Sequence, residues 1–73
     1  MRIKVTYKPR ITWGNETRYF YADGANVPHA RLNAVEHIRM AEGWLVREGG
    51  TQRRCVPSRE WAEDRIVSVE VVQ

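Results

Sequence analysis

Apolar and polar side chains alternate along the start of the chain. The apolar side of this alternation holds Ile3, Val5, Tyr7, Ile11 and Trp13. A period of two indicates a half-buried β-strand from Arg2 to Trp13. Pro9 interrupts it, and a proline cannot donate a backbone hydrogen bond. We therefore expect an edge strand or a strand that bends at Pro9.

A second β-rich run, residues 17–21, follows the dipeptide Gly14-Asn15. Together the two runs predict a hairpin closed by a two-residue turn. In that register Lys8 lies opposite Tyr21, and Arg10 lies opposite Tyr19. The other face of the hairpin, which carries Phe20 and the apolar side of the first strand, is expected to form the core.

The middle of the chain allows two interpretations. A proline as the first helical residue and a glycine as the stop frame a helix over 29–42. With helical periodicity, however, Arg31 and Arg39 fall inside the arc occupied by Ile38, which leaves no clean apolar stripe. We therefore favour a strand over 34–41 and keep the helix as the alternative.

Short elements fill the rest of the chain. Strands at 44–47 and 52–56 flank a glycine pair and predict a second hairpin. Residues 58–64 predict one helical turn capped by Ser58. Residues 65–72 then predict a last strand, whose buried face holds Val67, Val69 and Val71.

Five or six short strands in a chain of 73 residues predict one domain spanning 1–73. The fold class is mostly β. We expect a small curled antiparallel sheet or an SH3-like or split barrel, because closure removes exposed strand edges. The alternative is an α+β fold with ββαββ order and a helix at about 29–42 on the sheet.

Composition narrows the chemistry. One cysteine cannot form an internal disulfide, and the two histidines lack a zinc-ligand spacing. No spacing places a nucleophile beside a base, so we expect a protein that is not an enzyme and that uses no cofactor or metal. No apolar run approaches the ~20 residues that span a bilayer, so we expect a cytoplasmic protein without a membrane partner.

Part of the chain has a familiar pattern. The run Glu42-Gly43-Trp44-Leu45-Val46, the pair Val56-Pro57 and the ending 67–72 resemble small uncharacterised proteins of actinobacterial phages and prophages. The resemblance covers about half the chain. It implies a phage or mobile-element accessory protein in the host cytoplasm, and it carries over no functional residue.

Bases and tyrosines share the polar face of the first hairpin. The net charge is +3, and the basic excess lies in residues 1–35. This candidate surface comprises Arg2, Lys4, Lys8, Arg10, Tyr19 and Tyr21. Cations that follow phosphates and rings that stack on bases, at about 1–3 kcal/mol per base, favour single-stranded nucleic acid or a nucleotide as ligand. Alternatively, the tyrosines cover the methylene stems of the bases.

A second basic cluster surrounds the glycine turn at 49–50 and holds Arg47, Arg53 and Arg54. The predicted register places Arg47 opposite Gln52 and Arg53 opposite Val46. Such a tip suits a phosphate or an acidic partner. Alternatively, it is a solvated hairpin end paired with Glu48.

The three tryptophans divide by context. Trp44 is expected in the core, whereas Trp13 and Trp61 are expected to be partly exposed. Exposed aromatic rings near arginines are typical of protein interfaces. The alternative is that Trp61 closes one end of a small barrel.

Taken together, these features favour a non-catalytic domain that binds an unidentified protein, such as an inhibitor of a host or defence protein. Its docking residues would be Trp13, Trp61 and the arginines. Nucleic-acid binding through the basic hairpin face is the alternative, and a homo-oligomer remains open.

Overall fold

The computed structural model describes residues 1–12 and 14–72. These residues form five strands and two helices. In chain order they are β1 Arg2–Tyr7, β2 Arg18–Asp23, α1 Val27–Ala41, β3 Trp44–Glu48, β4 Thr51–Cys55, α2 Arg59–Asp64 and β5 Ile66–Val71. The chain is mostly β, as predicted, and every strand pair is antiparallel.

The strands form two separate sheets. β1 lies at the centre of a three-stranded sheet of order β2-β1-β5, and β3 pairs only with β4. This order leaves both outer strands with a free edge, so the described part of the chain contains an open sheet and no barrel. Of the two predicted architectures, the antiparallel sheet is the one observed.

The core lies between one face of this sheet and α1. Ile3 and Val5 are fully buried and Tyr7 nearly so, as the alternation predicted. They occupy the central strand, where both neighbouring strands and the helix exclude water. Phe20 packs against them as a half-buried residue. Ile11 was expected in this core, but 70% of it is exposed because it lies beyond the end of β1.

The strand predicted over 34–41 is wrong, and the helical alternative is close to the observed α1. Asn26 caps this helix by accepting a hydrogen bond from the backbone N–H of His29 at 2.9 Å. The stripe that faces the sheet is narrow and consists of Ala30, Ala34, Val35 and Ile38. Arg39 borders it, and its guanidinium donates to the Pro57 carbonyl at 2.8 Å. The arginine thus flanks the stripe without interrupting it.

The connection between β1 and β2 also differs from the prediction. β1 ends before Pro9, which is almost fully buried. The guanidinium of Arg65 donates to the carbonyls of Lys8 and Pro9, at 3.1 and 2.7 Å, so the chain after β1 bonds to the residue before β5. Because β1 ends at Tyr7 and β2 begins at Arg18, the two strands are not joined by the predicted two-residue turn, and in the observed register Lys4 faces Tyr21.

The second hairpin and the short helix agree with the sequence. Gly49 and Gly50 have φ values of 54° and 85°. Such positive angles at both turn positions suit the twist of a two-residue hairpin. Arg47 pairs with Gln52, as predicted. The hydroxyl of Ser58 accepts a hydrogen bond from the N–H of Trp61 at 3.1 Å and caps α2.

In β5 the predicted buried row of valines is wrong at two of three positions. Val69 is half-buried, but Val67 and Val71 are 54% and 58% exposed. A register shift in β5 brings Ile66 opposite Tyr7. In addition, α1 packs on β1 and β2, so that β5 has less cover.

Candidate functional site

The hairpin of β3 and β4, residues 44–55, projects from the rest of the fold, and we call it the arm. Its strands make extensive contacts with each other and few with the sheet or the helices. All residues of the arm are exposed except the half-buried Val46 and Cys55. An isolated two-stranded hairpin is only marginally stable in water. Cover from a partner would therefore stabilise the arm.

The two faces of the arm differ in chemistry. The observed register places Leu45 beside Arg54 and Arg47 beside Gln52 on one face. Leu45 is 63% exposed, which leaves an aliphatic side chain in solvent among guanidinium groups. The opposite face places Val46 beside Arg53. Both faces thus combine apolar and cationic groups.

Of the three arm arginines, two are available to a partner. Arg47 forms no ion pair or side-chain hydrogen bond with any described residue. Arg53 lies 3.9 Å from Glu48, and both side chains are about 70% exposed, so water and salt screen this pair strongly. Among the described residues, the predicted ion pair with Glu48 is therefore present for Arg53 and absent for Arg47.

Arg54 has a structural role. Its guanidinium donates to the carbonyl of Met40 near the end of α1. A cation at this position also interacts favourably with the helix dipole. Gly43 leaves room for the guanidinium, because a Cβ on Gly43 would lie 3.1 Å from an Arg54 nitrogen and 2.9 Å from the Cys55 carbonyl oxygen. Arg54 thus anchors the arm.

A second anchor joins the arm to the loop after β1. The guanidinium of Arg10 lies over the ring of Trp44, 5.0 Å from its centroid. Trp44 was expected in the core, but it is 37% exposed and forms this stack at the base of the arm. The backbone N–H of Arg10 also donates to the Glu42 carboxylate at 3.2 Å. Arg10 therefore contacts the base of the arm and does not lie on the sheet surface predicted for it.

Glu42 is the buried charged residue at this junction. Its Oε1 atom has no hydrogen-bond partner among the described residues. Burial, together with the negative charge of Glu42, raises the pKa of Tyr7 above its usual range. Tyr7 is therefore neutral at physiological pH, and its side chain packs within the core.

The outer face of the three-stranded sheet keeps part of the predicted basic surface. Arg2, Lys4, Tyr19 and Tyr21 share this face. The Lys4 ammonium lies 4.5 Å from the centroid of the Tyr19 ring, and the two tyrosine rings meet edge to face at 6.2 Å. This contact agrees with both interpretations of the tyrosines, since a ring that covers a lysine stem can also stack on a base.

Two carboxylates neutralise that face. Arg2 donates to Asp23 at 2.9 Å, and Glu70 of β5 stands directly opposite Lys4. The ion pair with Arg2 holds the pKa of Asp23 below its usual range, so this carboxylate stays charged. Lys8 lies beyond the end of β1 and faces no residue of β2, which corrects the predicted pairing with Tyr21. The outer face therefore has no basic excess.

Trp61, another predicted docking residue, lies apart from the arm. Trp61 is half-buried, packs against the core and carries the Arg65 guanidinium 5.1 Å from its ring centroid. It is thus partly exposed, as predicted, but committed to internal contacts. Trp13 lies outside the described residues.

Leu45 is the site residue that the sequence reasoning missed. A signal was present, because the strand opposite it, Thr51–Cys55, contains no large apolar residue. A hairpin with one strand of that composition cannot bury either face well.

Comparison with protein-family models, with curated proteins and with solved structures gave no match. Neither described helix has the length and apolar character that crossing a bilayer requires. Among the described residues, no three His, Cys, Asp or Glu side chains are close enough to hold a metal ion. Function must therefore be inferred from the arm and the outer sheet face.

Proposed function

We propose that this chain is a small non-catalytic domain that binds a partner protein through its arm. The observation that carries the proposal is the exposed Leu45, which lies beside guanidinium groups on a hairpin with few contacts to the rest of the fold. The core of a protein interface is more apolar than the rest of the surface, and arginine is enriched both in interfaces and among their energetically important residues. Solvent does not stabilise an exposed apolar side chain, whereas a partner that buries it would.

The same residues define the chemistry of the partner. Leu45 requires an apolar pocket, and Arg47, which shares its face of the arm, requires a carboxylate at the rim of that pocket. The arm carries three arginines and one glutamate, so an acidic surface also speeds the encounter. The resemblance to phage proteins supports a more specific version, in which the partner is a host or defence protein that the domain inhibits.

Capture from a host lysate tests the proposal with three tagged proteins: the natural chain, Leu45→Ser/Arg47→Ser, and Leu32→Ser as the matched control. Leu32 lies on α1 and is 58% exposed, so its loss removes a similar apolar surface away from the arm. We expect a protein that the natural chain and the control retain and the arm variant loses. Capture by all three, or by none, would contradict the proposal.

Nucleic-acid binding is the second candidate, and the stack of Lys4 on Tyr19 favours it. It ranks second because Asp23 and Glu70 offset the two bases of that face. Fluorescence anisotropy with labelled single-stranded and duplex oligonucleotides separates the candidates. Binding that weakens as the salt concentration rises from 50 to 200 mM would support nucleic acid, because each phosphate that the protein neutralises adds to this salt dependence. If neither oligonucleotide binds in low salt, nucleic acid is excluded and the protein partner remains the candidate.

A further inference from the structure

The free edge of β5 is a second surface, independent of the arm. β5 pairs with β1 on one side and has no strand on the other side among the described residues. Val67, Val71 and Val72 are each more than half exposed along it. Exposed apolar strands with unpaired backbone groups are sites of association with another strand.

The hydrogen bonds show which backbone groups are unpaired. The N–H of Val72 donates to the Arg2 carbonyl at 2.9 Å. Because inward and outward groups alternate in an antiparallel pair, Glu70 also bonds toward β1, whereas Val69 and Val71 direct their N–H and C=O groups to the free edge.

This edge has few of the features that prevent association. The strand Ile66–Val71 contains no lysine and no proline, and Glu70 is its one charged residue. The register shift lies between Ile66 and Ser68 and leaves Val67 without a partner in β1, whereas the stretch from Ser68 onward pairs regularly with β1. Natural edge strands are usually protected by charges, prolines or bulges within the exposed stretch.

The edge is also self-complementary. The five residues 67–71 alternate apolar and polar in the same way when read in either direction. Antiparallel pairing centred on Val69 would place Val67 opposite Val71 of a second copy and Ser68 opposite Glu70 of that copy. Pairing centred on Glu70 would instead place two carboxylates directly opposite each other, which is unfavourable.

We propose that two copies of this chain pair through β5, antiparallel and centred on Val69, to form one six-stranded sheet. The two-fold axis stands perpendicular to that sheet, so α1 of both copies lies on the same face. The poorly covered strip of Val69 and Val71 then meets its counterpart in the second copy. A symmetric contact of this kind closes after two copies and leaves no edge on β5.

Mass in solution and amide exchange test this proposal together. We expect the natural chain to show the mass of two copies by light scattering at high concentration. Val67→Lys/Val71→Lys should shift to the mass of one copy, and Leu32→Lys, the matched exposed control, should not. Both substituted positions are more than half exposed, so the fold should tolerate the change.

Hydrogen exchange locates the contact and does not depend on a variant. In the dimer the outward amides of Val69 and Val71 should be protected, and dilution to the monomer should remove their protection. The inward amides of Glu70 and Val72 should stay protected throughout. A natural chain of single mass, a dimer that survives both lysines, a control that also dissociates, or outward amides that exchange freely would each overturn the proposal.

Discussion

The guanidinium of Arg10 stacks on the ring of Trp44, and this contact joins the loop after β1 to the first residue of the arm. Together with the hydrogen bond from Arg54 to the Met40 carbonyl, it sets the angle at which the arm leaves the fold. These two anchors restrain the arm, which has few other contacts with the rest of the fold.

Removing the stack should loosen the arm without unfolding the protein. Arg10→Ala loses a partly exposed cation–π contact, which contributes about 0.5–1 kcal/mol. We expect faster amide exchange in residues 44–55 and little change in β1. Arg53→Ala is the matched control, because its ion pair of 3.9 Å is exposed. Equal exchange in the arm of both variants would show that the stack does not restrain it.

Gly24→Ala should destabilise the whole fold. A Cβ at this position would lie 2.3 Å from the backbone nitrogen of Ala30, so the first turn of α1 would have to move. We expect a loss of about 1–3 kcal/mol, as for overpacking in a core, in urea unfolding. Gly14→Ala is the comparison, because a Cβ at position 14 would meet no atom within 4 Å and the substitution is strained only by the positive φ. The Gly24 variant should be the less stable of the two.

Asn26→Ala removes the cap of α1. The side-chain oxygen of Asn26 accepts the His29 N–H, and alanine leaves that donor without its partner. The free energy of unfolding should fall by about 1 kcal/mol. Asn15→Ala, in the exposed loop before β2, should change it far less. If both variants unfold at the same urea concentration, the cap contributes nothing measurable.

Acid should weaken the contact between the two helices. Hydrogen bonds from Arg39, and then from Arg59, hold the pKa of Glu36 below its ordinary value of 4.5. Because the folded-state pKa is the lower one, this carboxylate stabilises the fold above about pH 4.5, and that contribution is lost as the pH falls through the folded-state pKa. Glu36→Gln should therefore be less stable than the natural chain at pH 7, with the difference shrinking in acid.

Urea unfolding of both proteins from pH 7 down to pH 3 measures that difference. Glu16→Gln serves as the control, because Glu16 is exposed and forms no ion pair among the described residues. A constant gap between the natural chain and the Glu36 variant across this range would contradict the role given to Glu36.

Removing the two carboxylates of the outer sheet face should leave that face with a net positive charge. Asp23→Asn/Glu70→Gln leaves Arg2 and Lys4 unopposed beside the tyrosines. We expect this variant to bind single-stranded DNA in low salt more tightly than the natural chain, with an affinity that falls as salt is added. Identical binding curves would show that charge balance does not limit this face.

Local sequence determined the elements whose pairing or capping involves near neighbours. The alternation from Ile3 to Tyr7 specified the core side of β1, because strand geometry sends successive side chains to opposite faces. Gly49 and Gly50 likewise specified the second hairpin and its register. Ser58 specified the start of α2.

Tertiary structure decided what depends on distant residues. Arg65 binds the Lys8 and Pro9 carbonyls from more than fifty positions away, just beyond the end of β1, and β1 pairs with β2 in a register in which Lys4 faces Tyr21. The narrow apolar stripe of α1, which contains Ala30 and Ala34, is enough to hold the helix on the fold because the sheet packs against it. Trp44 is exposed because the arm projects from the fold. Periodicity cannot reveal such facts, since it records which side chains share a face and not what packs on that face.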